Sequence, residues 1–454
     1  MIRLMVAAPA SGSGKTAVTC ALLRAMQRRG LDPCAFKCGP DYIDPMFHRA
    51  VLDVESRNLD LFLSGERRAK ELFARACAGH GAAVVEGVMG YYDGLGGATD
   101  RSSAWHAADT LGIATLLVLP ARGASLTLAA QINGLKSFRT NSHIAGVLLN
   151  ECSAALFRTL RPALERETGL PVLGCLPRLD AARIESRHLG LLTAGEINDL
   201  DARLNALADA LEENADLPRL LRLFDGAAPA AEAAREAVRP ACCRIAVAQD
   251  EAFCFTYAET LETLERCGAE IVPFSPLRDG ALPERISGLY LPGGYPELYA
   301  RALSENEPMR RAAADAIRGG MPTVAECGGF LYLGAALTTP EGARFPMAGV
   351  LPGEASSAGR LTRFGYATLR AESDSLLFRA GEEIPVHEFH HWESTENGEA
   401  FALTKPLTGK SWRGGFATGT LYAAFAHLYF AGRPELAERF VAAARRYGEE
   451  NGVM

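Results

Sequence analysis

The sequence predicts two α/β domains joined by a linker. Short apolar runs alternate with helical patterns along the chain, a pattern that is typical of buried parallel strands with covering helices. The segment 226–242 is poor in large apolar residues and bracketed by prolines, as linkers often are. A chain of 454 residues is long enough for two domains with cores of their own. We therefore predict domains over 1–225 and 243–454.

The composition excludes several classes of protein. Hydrophobic residues make up 48% and charged residues 22% of the chain, as in ordinary globular enzymes. The net charge of −7 and the mixing of acids among the basic residues argue against a nucleic-acid surface. The longest apolar stretch, 111–121, is too short for a bilayer span, and no secretory pattern is present, so we expect a cytoplasmic protein. The 11 cysteines form no Cys-x-x-Cys pair, which argues against a zinc ribbon.

The elements of the first domain follow in order. Apolar runs predict strands at 2–8, 82–86, 113–119, 144–149 and 171–175. After the first strand, apolar residues recur at helical spacing, and Gly30 is a suitable stop for this helix. The apolar positions of the helix are Val18, Ala21, Leu22, Ala25 and Met26. The second domain repeats the pattern, with predicted strands at 244–248, 269–273, 287–292 and 322–326.

A glycine-rich loop at 11–16 stands where the first strand turns into the first helix. Backbone N–H groups and a helix N-terminus converge there, which suits phosphate oxygens. Lys15 is expected to reach the β- and γ-phosphates of a nucleotide and Thr16 to bind Mg²⁺. The loop departs from the usual pattern at Pro9, where a glycine is expected, and the alternative is an ordinary turn with a solvated lysine. The candidate nucleotide-binding residues are Gly12, Ser13, Gly14, Lys15 and Thr16.

Two further segments carry acids next to predicted strand ends. The segment 36–45 places Lys37 and two carboxylates around a Gly-Pro turn, as in a loop at the end of a sheet. Glu86 ends the apolar run at 82–86 and is followed by glycines. Because ligands bind at the carboxyl ends of strands in open α/β sheets, Thr16, Asp41 and Glu86 are candidate magnesium ligands. The structural alternatives are turn capping by Asp41 and Asp44, and a satisfied core carboxylate at position 86.

The second domain contains a candidate nucleophile and base. Cys327 lies between a predicted strand and a predicted helix and is followed by two glycines, which is typical of a nucleophile elbow. A helix N-terminus is expected to lower the pKa of this thiol. Gly293 and Gly294 are candidates for an oxyanion hole, and His427 is the candidate base. The alternative is a buried cysteine and a hydrogen-bonded core histidine.

Seven segments, in order along almost the whole chain, resemble the cobyrinate a,c-diamide synthase family. They are 11–16, 37–45, 86–90, 187–191, 291–297, 325–329 and 387–390. The resemblance implies a P-loop NTPase domain similar to dethiobiotin synthetase, followed by a class I glutamine amidotransferase domain with a flavodoxin-like fold. It also implies that ATP is the co-substrate, that Mg²⁺ is the cofactor, and that glutamine is the source of ammonia.

The reaction implied by the resemblance is amidation of the a and c carboxylates of cobyrinate, a corrin, through acyl phosphates in cobalamin biosynthesis. Cys327 would be the glutaminase nucleophile and His427 its base. The residues implied on the substrate side are Lys37, Asp41, Tyr42, Glu86 and Asp93. Many class I amidotransferases have a glutamate two residues after the catalytic histidine, whereas position 429 is Tyr here, so the orienting group stays open between His387 and Glu388. The implied partners are small molecules, and a homodimer is compatible with the resemblance.

Two alternative functions stay open at this point. The nickel-sirohydrochlorin a,c-diamide synthases share these motifs and differ in the tetrapyrrole they amidate. A non-catalytic P-loop switch with a degenerate glutaminase domain belongs to a different class. The intact Cys327 and His427 argue against the switch, because an inactive domain has no need for a nucleophile elbow.

Overall fold

The computed structural model describes residues 1–179, 200–229 and 238–453. The chain divides into two compact units, one formed by Met1–Leu61 and Gly65–Ala234, the other by Phe62–Ser64 and Arg235–Met454. The predicted motif at 187–191 lies outside the described residues, as does part of the predicted linker. The central sheet of each unit is parallel, apart from one edge strand in the second unit, which confirms the predicted α/β fold class.

A seven-stranded sheet forms the centre of the first unit. Its strands in chain order are β1 (Ile2–Ala7), β2 (Pro33–Cys38), β3 (Ser56–Leu59), β4 (Ala82–Glu86), β5 (Ala114–Pro120), β6 (Ile144–Asn150) and β7 (Val172–Leu176). All neighbouring strands run parallel, in the spatial order β3-β2-β4-β1-β5-β6-β7. Five of the strands match the predicted runs. β2 and β3 are additional, and the segment predicted as a loop from residue 36 begins inside β2.

Helices cover both faces of this sheet. They are α1 (Lys15–Arg28), α2 (Ile43–Leu52), α3 (Leu61–Ala76, interrupted at Gly65), α4 (Ala104–Leu111), α5 (Thr127–Ser137), α6 (Ala154–Thr168), α7 (Leu200–Asn214) and α8 (Leu217–Leu223). Side chains of a strand alternate between faces, so Leu4 of β1 packs in the same core as Val18 of α1. Met5 points the other way, into the core that contains Phe36 and Phe73. The sheet is therefore buried on both sides, and its functional groups lie at strand ends.

A six-stranded sheet forms the centre of the second unit. Its strands are β8 (Cys243–Ala248), β9 (Ala269–Phe274), β10 (Gly288–Leu291), β11 (Thr323–Glu326), β20 (Phe416–Ala417) and β21 (Leu421–Ala424). The spatial order is β20-β21-β11-β10-β8-β9, and only the β20–β21 pair is antiparallel. The helices of the unit are α9 (Ala258–Arg266), α10 (Ala300–Glu305), α11 (Glu307–Arg318), α12 (Gly328–Leu333) and α13 (Pro434–Asn451).

Two four-stranded sheets that the sequence did not reveal lie between α12 and β20 in the chain. One contains β12 (Ala336–Thr338), β13 (Arg344–Pro346), β14 (Glu354–Ser357) and β17 (Trp392–Ser394). The other contains β15 (Arg363–Ala371), β16 (Glu383–His390), β18 (Phe401–Thr404) and β19 (Ser411–Gly414), all in antiparallel pairs. None of the described helices is both long enough and apolar enough to cross a bilayer.

Candidate functional site

The glycine-rich loop at 11–16 connects β1 to α1 at the carboxyl end of the first sheet. Gly12 and Gly14 have φ angles of 75° and 94°, which glycine adopts without steric cost. A Cβ atom on Gly14 would stand 2.0 Å from Nδ2 of Asn150, and that amide donates a 3.0 Å hydrogen bond to the carbonyl of Ser13. Asn150 therefore fixes the loop from the end of β6. The sequence contains no motif that would have identified it.

Lys15, the first residue of α1, bridges two backbone segments. Its Nζ donates hydrogen bonds to the carbonyls of Ala10, at 3.1 Å, and Met89, at 2.6 Å. Burial, together with the nearby charge of Lys37, lowers the pKa of Lys15 to about 8. The ammonium thus sits between the phosphate loop and the segment after β4, where it is charged at neutral pH.

Three of the predicted site residues meet at one carboxylate oxygen. Oε1 of Glu86 accepts hydrogen bonds from Oγ1 of Thr16, at 2.6 Å, and from Nζ of Lys37, at 2.7 Å. The strand register explains the meeting, because Glu86 of β4 pairs with Lys37 of β2 on one side and with Val6 of β1 on the other. The loop that follows β1 therefore delivers Thr16 to a buried carboxylate.

Asp41 and Asp44 lie beside the same lysine. Nζ of Lys37 is 3.9 Å from Oδ2 of Asp41 and forms an ion pair with Asp44. Oδ1 of Asp41 accepts the backbone N–H groups of Ile43, at 2.9 Å, and Asp44, at 3.2 Å, and so caps the start of α2. The capping role weighed for Asp41 is thus present, while its second oxygen faces the lysine. Asp44 is a further acid of this cluster that was not among the predicted site residues.

Three carboxylates surround Lys37 and determine its charge state. Burial acts to lower the pKa of Lys37, but Glu86, Asp44 and Asp41 outweigh it and hold the pKa well above its usual value. Burial raises the pKa of Glu86 to about 7, against the attraction of Lys37. The lysine is therefore a charged ammonium, and Glu86 is the acid whose ionisation responds to what binds nearby.

The donor set around Glu86 fits a magnesium ion. Oε2 of Glu86 is buried and accepts no hydrogen bond from the residues that the structure describes. A hard carboxylate oxygen of this kind, next to the Thr16 hydroxyl, suits Mg²⁺. Within the described ranges, no three His, Cys, Asp or Glu side chains form a complete metal site by themselves. Mg²⁺ usually takes one or two carboxylates and completes its shell with water and phosphate oxygens.

Tyr42 and Asp93, the other two residues predicted on the substrate side, differ in accessibility. Asp93 is exposed, and its Oδ2 accepts the backbone N–H of Gly90 at 2.9 Å. Tyr42 is only 8% exposed. Of the two, Asp93 is the side chain that a large substrate could contact directly in this structure.

In the second unit, Cys327 occupies the predicted sharp turn between β11 and α12. Its φ of 45° and ψ of −98° are strained for a residue with a side chain, and its N–H bonds to the carbonyl of Ala424 at 2.7 Å. A Cβ on Gly329 would stand 2.1 Å from the carbonyl oxygen of Leu291. Position 329 therefore requires glycine, because the start of α12 packs directly against the end of β10.

The glycine pair and the histidine lie at adjacent strand ends. A Cβ on Gly328 would be 2.9 Å from the backbone nitrogen of Gly294, so this N–H group lies beside the nucleophile turn. The buried ring of His427, after β21, lies against Gly293, whose Cβ would be 2.5 Å from Cε1 of the ring. The carboxyl ends of β10, β11 and β21 thus bring together all four residues predicted for the glutaminase site.

The predicted direction of the thiol pKa is wrong. Burial raises the pKa of Cys327 above its usual value, and the carboxylates of Glu297, Glu388 and Glu326 add to this effect. The helix that begins at this turn has only six residues, so its N-terminus offers little compensation. Cys327 is therefore a neutral thiol at rest and requires a base.

The two residues considered as the orienting group for His427 have other contacts in the structure. His387 pairs with His427 through the backbone. The N–H of His427 donates a 2.9 Å hydrogen bond to the carbonyl of His387. Burial lowers the pKa of the His387 ring to about 3, so the ring is neutral. Oε2 of Glu388 lies 3.9 Å from Nε2 of His390 instead. The carboxylate beside Nδ1 of His427 is that of Glu326, with its Oε2 at 3.7 Å.

Comparison with known proteins agrees with both units. Residues 4–192 match a family described as the CobQ/CobB/MinD/ParA nucleotide binding domain, and residues 244–435 match the CobB/CobQ-like glutamine amidotransferase domain. A Clostridium acetobutylicum protein named cobyrinate a,c-diamide synthase is 39% identical over 97% of this chain and 100% of its own length. The chain belongs to the cobyrinate a,c-diamide synthase family. Relatives with the same name from Salmonella typhimurium and Listeria innocua are 39% and 36% identical, over 97% and 98% of this chain and 98% and 100% of their own.

Membership in the cobyrinate a,c-diamide synthase family confirms the predicted order of a nucleotide-binding P-loop domain and a glutamine amidotransferase domain. It also confirms the prediction of an amide-forming ligase that hydrolyses glutamine, in place of a non-catalytic switch. The use of a nucleotide follows from the matched domain, whereas Mg²⁺ stays a prediction that rests on the donor set around Glu86.

Proposed function

We propose that this protein amidates the a and c carboxylates of cobyrinate, using ATP to activate each carboxylate and glutamine to supply ammonia. The observation that carries the proposal is the presence of two candidate sites in one chain. One is the Thr16–Glu86–Lys37 cluster beside the phosphate loop, and the other is the Cys327 elbow with His427. The names of relatives that match along their full length support the choice of substrate.

Activation of the carboxylate takes place at the first site. A carboxylate is a poor acyl donor because it is an anion without a leaving group, so its oxygen attacks the γ-phosphorus of ATP, the bond to ADP breaks, and an acyl phosphate forms. Lys15 leaves the Ala10 and Met89 carbonyls and stabilises negative charge on the phosphates. Thr16, Glu86 and Asp41 would hold Mg²⁺, which supplies charge neutralisation to the phosphate oxygens when bound.

The substrate side of this site is assigned to the residues that surround the cluster. Lys37 carries a positive charge that attracts the carboxylate, while Asp93 is exposed and accessible to the tetrapyrrole. Asp41, Glu86 and Tyr42 border the same strand ends. Binding of substrate brings a further anion to Lys37, which is already surrounded by acids, so the ammonium must redistribute its ion pairs.

Ammonia production takes place at the second site. His427 removes the proton of the neutral Cys327 thiol as sulfur attacks the carboxamide carbon of glutamine. The developing oxyanion accepts hydrogen bonds from backbone N–H groups of Gly293 and Gly294. The proton then passes from His427 to the departing nitrogen, ammonia leaves, and water hydrolyses the glutamyl thioester to glutamate. Ammonia displaces phosphate from the acyl phosphate, and the cycle runs once for each carboxylate.

A substrate comparison tests this function. The purified protein is incubated with ATP, Mg²⁺ and glutamine, and with either cobyrinate or nickel-sirohydrochlorin, and the products are analysed by mass spectrometry. We expect the diamide of cobyrinate, with one ADP and one glutamate released per amide. Amidation of nickel-sirohydrochlorin but not of cobyrinate would contradict the proposed substrate and assign the activity to nickel-sirohydrochlorin. Amide formation without release of one ADP per amide would contradict the acyl phosphate route.

A further inference from the structure

Glu326, the last residue of β11, joins three elements of the glutaminase site. Its side chain is 1% exposed. Oε1 accepts the backbone N–H of Leu428 at 3.1 Å, and Oε2 accepts the hydroxyl of Tyr290, on β10, at 3.2 Å. Oε2 also lies 3.7 Å from Nδ1 of His427. The carboxylate is therefore held from both sides, by the backbone of the residue after His427 and by a tyrosine of β10.

Strand pairing makes this placement rigid. Glu326 pairs with Ala424 across β11 and β21, and the N–H of the next residue, Cys327, bonds to the Ala424 carbonyl at 2.7 Å. The nucleophile and Glu326 are adjacent in sequence, while His427 follows β21 by three residues. The register of β11 and β21 therefore fixes the backbone of Glu326 relative to the segment that carries His427.

The chemistry of the base explains what a carboxylate does in this position. His427 becomes positively charged when it takes the thiol proton, and Oε2 of Glu326 is then an ion-pair partner for Nδ1. A distance of 3.7 Å is longer than a hydrogen bond, and such contacts commonly shorten in catalytic complexes. An acid beside Nδ1 also fixes the ring orientation and leaves Nε2 as the nitrogen available to the thiol.

We propose that Glu326 is the positioning residue of His427, and that it replaces the glutamate that many class I amidotransferases carry two residues after this histidine. Position 429 holds a tyrosine, which has no carboxylate, and its ring packs on that of Tyr257 with 5.1 Å between the ring centroids. The inference rests on the proposed glutaminase role of Cys327 and His427, but it does not depend on which tetrapyrrole is amidated.

Other titratable groups surround the pair, and they define the controls. Those facing Glu326, His427 or the nucleophile from the packed elements are Tyr290, Glu297, His387, Glu388 and Tyr422, and Lys405 in turn lies near His387 and Glu388. Burial and the carboxylate of Glu326 raise the pKa values of Tyr290 and Tyr422 well above the usual value, so both stay neutral donors. Glu388 is the best matched control, because it is also buried, it was the rival candidate, and it lies beside His390.

The experiment measures glutamine hydrolysis by the full-length protein as a function of pH, with glutamate release as the readout. In Glu326→Gln we expect kcat to fall by about a hundredfold with little change in KM, because the substitution removes charge beside the base and not a substrate contact. The acid limb of the kcat profile should move to lower pH, because the imidazolium loses a negative neighbour. Glu388→Gln should keep the acid limb of the parent.

The remaining outcomes also decide the question. Glu326→Asp retains the charge at a longer distance and should recover part of the activity. If Glu326→Gln does not fold, Glu326→Asp provides the test instead. A parental kcat and acid limb in the folded variant overturns the inference, as does a shift of the limb in Glu388→Gln alone. Ammonium-dependent diamide synthesis should be parental in Glu326→Gln. If the parent protein shows no ammonium-dependent diamide synthesis, this result would count against the proposed synthetase function and not against the role of Glu326.

Discussion

Nζ of Lys37 lies 2.7 Å from Oε1 of Glu86, and the same oxygen accepts a hydrogen bond from Thr16. One buried carboxylate oxygen therefore connects the first helix, which carries the phosphate loop, to the strand that carries the lysine. Loss of its negative charge would leave Lys37 with fewer counter-charges in a buried setting. This makes Glu86 the most sensitive position of the first site.

Replacement of Glu86 should weaken the binding of Mg²⁺ more than replacement of Asp41 does. Glu86→Gln keeps the shape but removes a proposed magnesium ligand, whereas in Asp41→Asn one side-chain oxygen can still cap α2. We expect the Mg²⁺ concentration for half-maximal ADP formation to rise by about tenfold or more in Glu86→Gln and by less in Asp41→Asn. The measurement is a Mg²⁺ titration with ammonium as nitrogen source. Parental titrations in both variants would contradict the ligand assignment.

Nucleotide affinity should depend on pH through Lys15. Burial lowers the pKa of this lysine to about 8 in the nucleotide-free protein, so its charge is lost as the pH rises through about 8. Binding to anionic phosphates favours the charged form, and affinity for ATP should therefore be higher at pH 7 than at pH 9. Calorimetric titrations at the two pH values measure the difference. Lys15→Ala should bind weakly at both values, without this pH dependence, and should make no amide from any nitrogen source.

Several elements of the fold could be predicted from the sequence for simple physical reasons. Apolar runs such as the one that forms β1 predict buried parallel strands. The glycines of the loop at 11–16 predict a turn, and in the structure they have positive φ angles. The two four-stranded sheets were not predicted, because six of their strands have only three or four residues and the two longer ones, β15 and β16, mix polar with apolar residues. The sequence did not suggest Glu326 as an orienting group, because the strand register that places it beside His427 is not visible in a single sequence. The thiol pKa was predicted in the wrong direction because burial outweighs a short helix.

Gly14 should be irreplaceable for a steric reason. Gly14→Ala would place Cβ 2.0 Å from the Asn150 amide and force the phosphate loop to move. Gly30→Ala is the matched control, since Gly30 is near the other end of α1, has a φ of 70°, and would meet no described atom within 4 Å. Both variants should lose about 1–2 kcal/mol of stability from the left-handed conformation. Only Gly14→Ala should also lose ATP binding, and equal affinities for ATP in the two variants would refute this explanation.

Glu297 should control the reactivity of the nucleophile. Burial raises the pKa of Glu297 to about 7, and the thiol pKa of Cys327 is raised first by burial and then by this carboxylate. In Glu297→Gln the negative charge is absent at every pH, so the thiol pKa should fall. Alkylation of Cys327 by iodoacetamide at pH 8 should then be faster than in the parent. Mass spectrometry identifies the modified residue, Cys327→Ser provides the background of the other cysteines, and an unchanged rate would contradict the electrostatic role.

Cys327→Ser should separate the production of ammonia from its use. A serine hydroxyl has a much higher pKa than a thiol, so His427 cannot activate it effectively, the glutamyl intermediate does not form, and glutamine-dependent synthesis is lost. The ATP site lies in the other unit and keeps its residues. High concentrations of ammonium salt at mildly alkaline pH supply neutral ammonia, which attacks the acyl phosphate and should restore diamide synthesis. The measurement follows ADP, glutamate and the diamide with both nitrogen sources. Retained glutamine activity would exclude Cys327 as the nucleophile, while a folded variant that is inactive with ammonium as well would contradict two separable half-reactions.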